Sequence, residues 1–374
     1  MAIVSVQRCG AYDEAEAAVH TALGDVAARK HLKKGMNVLV KPNILASVTP
    51  DKGVTTHPAV VDAICSYCKP LGVKVFIGES SGSAAARGTA NAFERSGLAA
   101  VAKRWGVEFI NFDDDEHIVV KPQGATRMKN VKIAKRLQDM DCIIDACKMK
   151  THMLTGFTGA VKNMFGILPG RAKVNAHTQG KDLRTFSHIM IDIFLAGVPR
   201  ICVMDAIVGM EGNGPSSGTL KQTGLVLASD DAFAMDIVAS RIMGFSRKEL
   251  VYLRLAQRRG LLPDVISVVG EKDVSVPYKK PLSYRLGLGG LSNIVFQFLQ
   301  VRFDVDTDKC KRCAYCVRAC PEQAITMDEF PDFKKERCIL CYCCHELCPY
   351  DAIILKKPLL ARIADRLIGR FKDD

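Results

Sequence analysis

Eight cysteines near the end of the chain carry its plainest chemistry. Cys310, Cys313, Cys316 and Cys320 stand in the run CKRCAYCVRACP, spaced C-x2-C-x2-C-x3-C-P. Cys338, Cys341, Cys344 and Cys348 repeat that spacing in CILCYCCHELCP, and Pro321 and Pro349 close the two runs. A cubane cluster needs four thiolates converging on four irons. In this spacing three close cysteines wrap one cluster while the fourth reaches across to the other. The expected ligand sets are Cys310, Cys313, Cys316 and Cys348 for one [4Fe-4S] cluster, and Cys338, Cys341, Cys344 and Cys320 for the second. Zinc ribbons use pairs of C-x2-C units rather than this triplet run. Cys343 leaves the spacing intact and reads as a spare buried thiol, and His345 reads as packing.

Over residues 304–356 the chain resembles bacterial two-cluster ferredoxins. The resemblance implies a helix after each cysteine loop and short strands around the clusters. Such clusters pass single electrons, and their potentials span roughly −700 to +450 mV, so the direction of flow is not set by spacing.

A second stretch raises a different question. Residues 148–173, KMKTHMLTGFTGAVKNMFGILPGRAK, hold five basic residues, one histidine, four glycines and no acid. An apolar run, CIIDAC, leads straight into them. Gly156, Gly159, Gly166 and Gly170 permit close backbone approach and positive φ. Lys148, Lys150, Lys162 and Arg171 can face one anion, and glycine-turn amides would add hydrogen bonds. A strand ending in this text is expected to end at an anion or cofactor pocket. Lys41 and Asn43, at the end of the MNVLVKPN run, are expected at the same edge. The GESSGS segment lacks both the P-loop lysine and the G-x-G-x-x-G spacing, so neither an ATPase nor a standard dinucleotide site is supported.

Taken together, KPN, TTHP, GESSG, KMKTH, GAVKNMFG, PGRAK, MEGNGP and ASDDAFAMDIVA resemble a widespread prokaryotic family, the one numbered three-six-two among domains of unknown function. Its members often carry a C-terminal two-cluster ferredoxin. A more distant similarity joins His152, Lys162 and His177 to a segment of the nickel-pincer lactate racemases. It implies that Lys162 anchors a nucleotide-like cofactor and that His152 and His177 serve in proton transfer or metal ligation. GAVKN stands here in place of that family's Gly-Gly-Arg-Lys run.

These residues need a scaffold. Strand-like apolar runs occur at AIVSVQ, MNVLVKPN, VKVFIGES, VEFINFD, CIIDACK, RICVMDAI, TGLVLAS and VISVVG. Helical patterns lie between them at 12–29, 58–69, 90–104, 184–196 and 231–243. This alternation predicts an α/β fold with a mostly parallel sheet covered by helices on both faces. Ligands in such sheets bind beyond the carboxyl ends of the strands. His57 before Pro58 reads as a helix start. Cys65, Cys68, Cys142, Cys147 and Cys202 lie in apolar runs and read as core. The expected organisation is a ligand-binding domain at 1–270, a linker at 271–303, the ferredoxin at 304–356 and an amphipathic basic tail helix at 357–374. The tail is suited to docking on its own protein or on a membrane surface.

Charge and composition limit the function. The formal net charge is +12, and the first 300 residues carry 38 basic against 27 acidic side chains. That excess favours a small anionic ligand or an acidic redox partner protein. Basic runs interleaved with aromatics are absent and there is a single Trp, which argues against nucleic acid. No window reaches the roughly 18 apolar residues of a membrane span. Nine of fifteen cysteines crowd into 310–348, which reads as metal ligation in a reducing compartment and predicts a cytoplasmic protein. The expected function is an iron–sulfur oxidoreductase. The alternatives are an electron-transfer module serving a partner, and an isomerase-like or metal-insertion protein with structural or sensing clusters.

Overall fold

The computed structural model describes residues 1–81, 88–180, 182–285, 302–350 and 352–356. All eight expected strands form and join one sheet. They are β1 (Ala2–Arg8), β2 (Asn37–Pro42), β3 (Lys74–Glu79), β4 (Glu108–Asn111), β7 (Cys142–His152), β9 (Ile201–Glu211), β10 (Thr219–Ser229) and β11 (Ile266–Gly270). The order is β11-β1-β10-β9-β7-β2-β3-β4, and a short β8 (Gly156–Thr158) folds back on β7. Neighbours pair in parallel throughout except for β10 and β8, which run against their partners. A separate hairpin, β5 (His117–Val120) with β6 (Val131–Ala134), was not evident in the sequence.

Central β7 is buried along all eleven residues. Alternate side chains point to opposite faces. Ile143, Cys147 and Met149 therefore enter one core, while Cys142, Ile144 and Ala146 enter the other. On the second face lie α1 (Ala15–Asp25), α2 (Pro58–Cys68), α3 (Gly88–Arg95) and α4 (Leu98–Trp105). The first face carries α5 (Ala160–Asn163), α6 (Arg171–Gln179), α7 (Leu183–Phe194), α8 (Ala232–Ile242) and α9 (Val251–Arg258). The single helix expected over 90–104 is two, because Gly97 adopts φ 80°, a conformation that ends one helix and starts the next. The expected helix start at His57 holds: its Nδ1 accepts from the Ala59 amide, and Pro58 opens α2. The five cysteines read as core are all buried.

Near the end of the chain, Arg302–Val305 pairs with Ile353–Lys356, and Ile325–Met327 pairs with Pro331–Phe333. Short helices Tyr315–Ala319 and Cys343–Glu346 follow the cysteine loops. That is the arrangement the ferredoxin resemblance implied. The amphipathic tail expected at 357–374 and residues 286–301 of the linker expected at 271–303 lie outside the described residues. Among the described residues, no helix is long and apolar enough to cross a membrane.

Candidate functional site

The two cysteine loops are built alike. Arg312 and Ala314 in the first, and Leu340 and Tyr342 in the second, take positive φ between 52° and 63°. Alternating left-handed residues turn successive amides inward and make a concavity suited to an anionic cluster. The fourth cysteine of each motif accepts an equivalent amide bond, Ala324 N to Cys320 Sγ at 3.1 Å and Ala352 N to Cys348 Sγ at 3.3 Å.

Cys310, Cys313, Cys316 and Cys348 line a single cavity. Burial raises the Cys316 thiol to about 11, and neighbouring Cys348 and Cys313 push the same way. Burial likewise raises Cys344 well above an ordinary thiol, reinforced by Cys341, Cys338 and Cys320. Thiols in this state hold their protons until a metal displaces them. The geometry thus fits two [4Fe-4S] clusters, which when bound would exchange single electrons. Cys343 is buried, and His345 Nδ1 donates a hydrogen bond to the Ile353 carbonyl at 2.6 Å.

At the other end of the chain's chemistry, the carboxyl ends of β2, β3, β7 and β9 share one rim of the sheet. Lys41, Lys148, Lys150 and Lys162 lie there, and two of them, Lys41 and Lys148, face carboxylates of the chain itself. Lys41 Nζ donates to Glu79 Oε2 at 2.6 Å with both side chains buried. Lys148 Nζ meets Asp205 Oδ2 at 2.7 Å, also buried, and Tyr12 OH accepts a second bond from the same nitrogen at 2.9 Å. Lys150 Nζ donates to Asn43 Oδ1 at 2.8 Å and to the Val54 carbonyl at 2.6 Å. Asn43 in turn donates to Asn163 Oδ1 at 3.0 Å. Lys41, Asn43, Lys148 and Lys150 therefore hold the rim together from within, where free cations around one external anion were expected.

The glycines follow the same logic. A Cβ on Gly159 would collide with the Asp236 carboxylate, and one on Gly166 with Glu79 and the Lys41 ammonium. Gly159 lets Asp236 accept from the Ala160 amide at 2.7 Å and the Val161 amide at 3.2 Å. The amide cradle expected for a cofactor is filled by Asp236, which Tyr252 OH also reaches at 3.0 Å. Burial lifts Asp236 to about 7. Asp145, a strand residue bonded by Asn163 Nδ2 at 2.5 Å, is lifted by burial to about 8, against the pull of Lys41. None of these buried acids was singled out in the sequence. The one signal for Asp236 is an acid set within the apolar stripe of α8.

His152, Lys162 and His177 do come together. His152 is fully buried, and its Nδ1 accepts from the Leu154 amide at 3.0 Å and the Thr155 amide at 3.3 Å. That fixes the proton of the neutral ring on Nε2. Burial, then Lys162 and His177, depress His152 well below the usual imidazole range. His177 is stacked on Phe186 at 4.7 Å and set edge-on to Phe165, with Nδ1 lacking a hydrogen-bond partner among the described residues. Burial, then Lys162, pulls it to about 3. Lys162 is half-buried, its ammonium 5.8 Å from the Phe165 ring centre. The side chain of Arg171, expected beside the same anion, lies outside the described residues. Lys173, not singled out in the sequence, lies near this group. Its ammonium bonds Ser80, and burial lowers it to about 8.

The two centres touch. Tyr342 and Leu340, from the second cysteine loop, pack with Met153 and Leu154, the residues directly after His152. Ser283 bonds the Met153 carbonyl, and Tyr284 lies over Gly156 in the same hairpin.

A mostly parallel α/β body joined to two cysteine loops with the C-x2-C-x2-C-x3-C-P spacing defines an iron–sulfur protein. Comparison with known sequences agrees. The chain belongs to the family described as domain of unknown function (DUF362), matched over residues 38–241, and residues 309–352 match the 4Fe-4S dicluster domain. It is similar to the thylakoid-associated protein sll1697 of Synechocystis sp., with 30% identity over 233 residues, covering 62% of this chain and 70% of that protein. Among solved structures it is similar to the lactate racemase apoprotein of Thermoanaerobacterium thermosaccharolyticum. There the identity is 14% and the TM-score 0.43, over 64% of this chain and 57% of that one.

Proposed function

We propose that this protein is an iron–sulfur oxidoreductase in which a small anionic substrate sits at the carboxyl rim beside Lys162, His152 and His177. Electrons would reach it one at a time from the two clusters. The observation that carries this reading is the packing of Tyr342 and Leu340 on Met153 and Leu154, which sets a cluster-binding loop against the residues next to His152. A ferredoxin serving only distant partners has no need of that contact.

The side chains have distinct parts in this reading. Lys162 supplies the positive charge that attracts the anion. His152 is neutral at physiological pH, so its Nε2–H polarises a substrate oxygen by hydrogen bonding and does not act as a strong acid. A bound anion offsets the field of Lys162 and makes protonation of the nearby imidazoles easier.

The test is an EPR-monitored redox titration of the anaerobically reconstituted protein, alone and with oxalate, pyruvate or inorganic phosphate. The expected result is that at least one anion shifts the midpoint or line shape of one cluster, and that Lys162→Ala removes the shift. If no anion acts on the wild type and Lys162→Ala titrates identically, the rim is not a substrate site. The partner-serving reading then takes precedence.

A further inference from the structure

We infer that the two cysteine loops face different ways, and that the surface formed by Lys311, Cys313, Met327 and Tyr350 is the docking face for an acidic one-electron carrier protein. This deepens the proposed function by assigning an outside end and an inside end to the electron path.

The asymmetry is plain in the burial. Both motifs have the same spacing, yet the second cysteine of the first, Cys313, is exposed while its equivalent, Cys341, is only partly so. Tyr342, at the equivalent point of the second loop to Ala314 in the first, is 3% exposed and packed against the large domain. The second loop is thus covered by the chain's own residues on the side that leads to His152. Around the first loop the cavity lined by Cys310, Cys313, Cys316 and Cys348 is also lined by Lys311, Met327 and Tyr350. Tyr350 is 43% exposed, one of the few large apolar side chains left in solvent.

Charge narrows the partner. Lys309 is paired with Asp306 and Arg312 with Glu329, so these cations are locally balanced. Lys311 is exposed and makes no ion pair among the described residues, leaving a positive charge at the cavity. An apolar contact ringed by such a charge suits a carrier that presents carboxylates around its own redox centre. Each encounter would move one electron inward and leave the carrier oxidised by one. No atom is transferred.

The experiment uses the full-length holoprotein and no substrate. The EPR signals of the two clusters are assigned with Cys313→Ser and Cys341→Ser, and a neutral gadolinium chelate is then added to the reduced wild type. Enhanced relaxation is expected for the signal altered by Cys313→Ser, and little for the other. Reduction by flavodoxin hydroquinone, an acidic protein donor, is followed by stopped flow. Lys311→Glu should slow it about tenfold, as a charge reversal at a docking rim does. Reduction by the cationic methyl viologen radical should be unchanged or faster. Equal relaxation of both signals, or stronger relaxation of the Cys341→Ser signal, overturns the inference. So does flavodoxin reduction within about twofold of wild type for Lys311→Glu. Because no rim ligand is involved, a negative anion titration leaves this result standing, and a failed relaxation assay leaves the rim site standing.

Discussion

Asp145→Asn isolates one buried proton at the rim. Asp145 is fully buried, one oxygen bonded by Asn163 Nδ2 and the other without a hydrogen-bond partner among the described residues. Burial raises its carboxyl from 3.8 to about 8, even though Lys41 pulls the other way. The folded protein therefore holds a proton that the unfolded chain releases between those values. Stability from this group is full below the unfolded value and falls as pH rises toward the folded one. The slope is about 1.4 kcal/mol per pH unit, so from pH 5 to pH 7 wild type loses about 2.7 kcal/mol through Asp145 alone. Asparagine keeps the shape and the acceptor for Asn163 but does not titrate. Other groups titrate alike in both proteins and cancel in the difference. The variant should thus gain on wild type by about 2.7 kcal/mol across that interval, or about 5 °C in Tm for a domain of this size. The assay is thermal unfolding of both proteins at pH 5, 6 and 7, anaerobically and at one scan rate. A difference in Tm that stays constant within about 1 °C across that series would show that Asp145 is ionised in the fold, and the reasoning would fail.

Other outcomes follow from the same geometry. Cys320→Ala, although it lies in the first motif, should deplete the cluster held by Cys338, Cys341 and Cys344, leaving iron and sulfide near half of the roughly eight each expected for two cubanes. Metal analysis with EPR of the remaining signal checks this, and an intact second cluster refutes the crossed ligation. Gly166→Ala drives a methyl group into the buried Lys41–Glu79 pair and should cost about 3–5 kcal/mol, read as a fall in Tm or loss of soluble protein. His177→Phe should flatten the acid limb. His177 is held at about 3 against 6.5 in the unfolded chain, so wild-type stability drops as pH falls from 6.5 toward 3. Between pH 6 and pH 5 the variant should lose about 1 kcal/mol less than wild type, measured as the change in Tm over that step.

The sheet was legible because its strands are buried on both faces. The first half of β7 is apolar apart from Asp145, and the run CIIDAC shows it, while the second half buries Lys148, Lys150 and His152 against partners elsewhere in the fold. The β5–β6 hairpin was not legible, since Ile118 and Val120 alternate with His117 and half-exposed or exposed neighbours over only four residues. Helix α6 was missed for a related reason. Its residues RAKVNAHTQ carry no apolar stripe, and it stands on tertiary contacts through Ala176 and His177. The 4Fe-4S dicluster domain was legible from spacing alone, because there the chemistry fixes the interval between ligands.

The rim was legible in its parts and misread in its assembly. Seeing five cations and four glycines without an acid, local sequence points to an anion from outside. The anions come from the chain, but from far along it. Glu79 lies 38 residues from Lys41, Asp205 lies 57 from Lys148, and Asp236 lies 76 from the amide it caps at Ala160. A buried charge needs a partner more than an exposed one does, and the sheet topology, not the local text, decides which partner arrives. This has a consequence for the site itself. With Lys41 and Lys148 neutralised by their carboxylates and Lys150 bonded to Asn43 and Val54, the depression of His152 and His177 names Lys162 as the cation they sense most strongly. Lys162 is thus the cation whose charge is most closely tied to both imidazoles. The residue after His152 is the one that the second cysteine loop rests on. Substrate charge and cluster charge would be felt across one short hairpin, Met149 to Phe157, so a change at either end should register at the other.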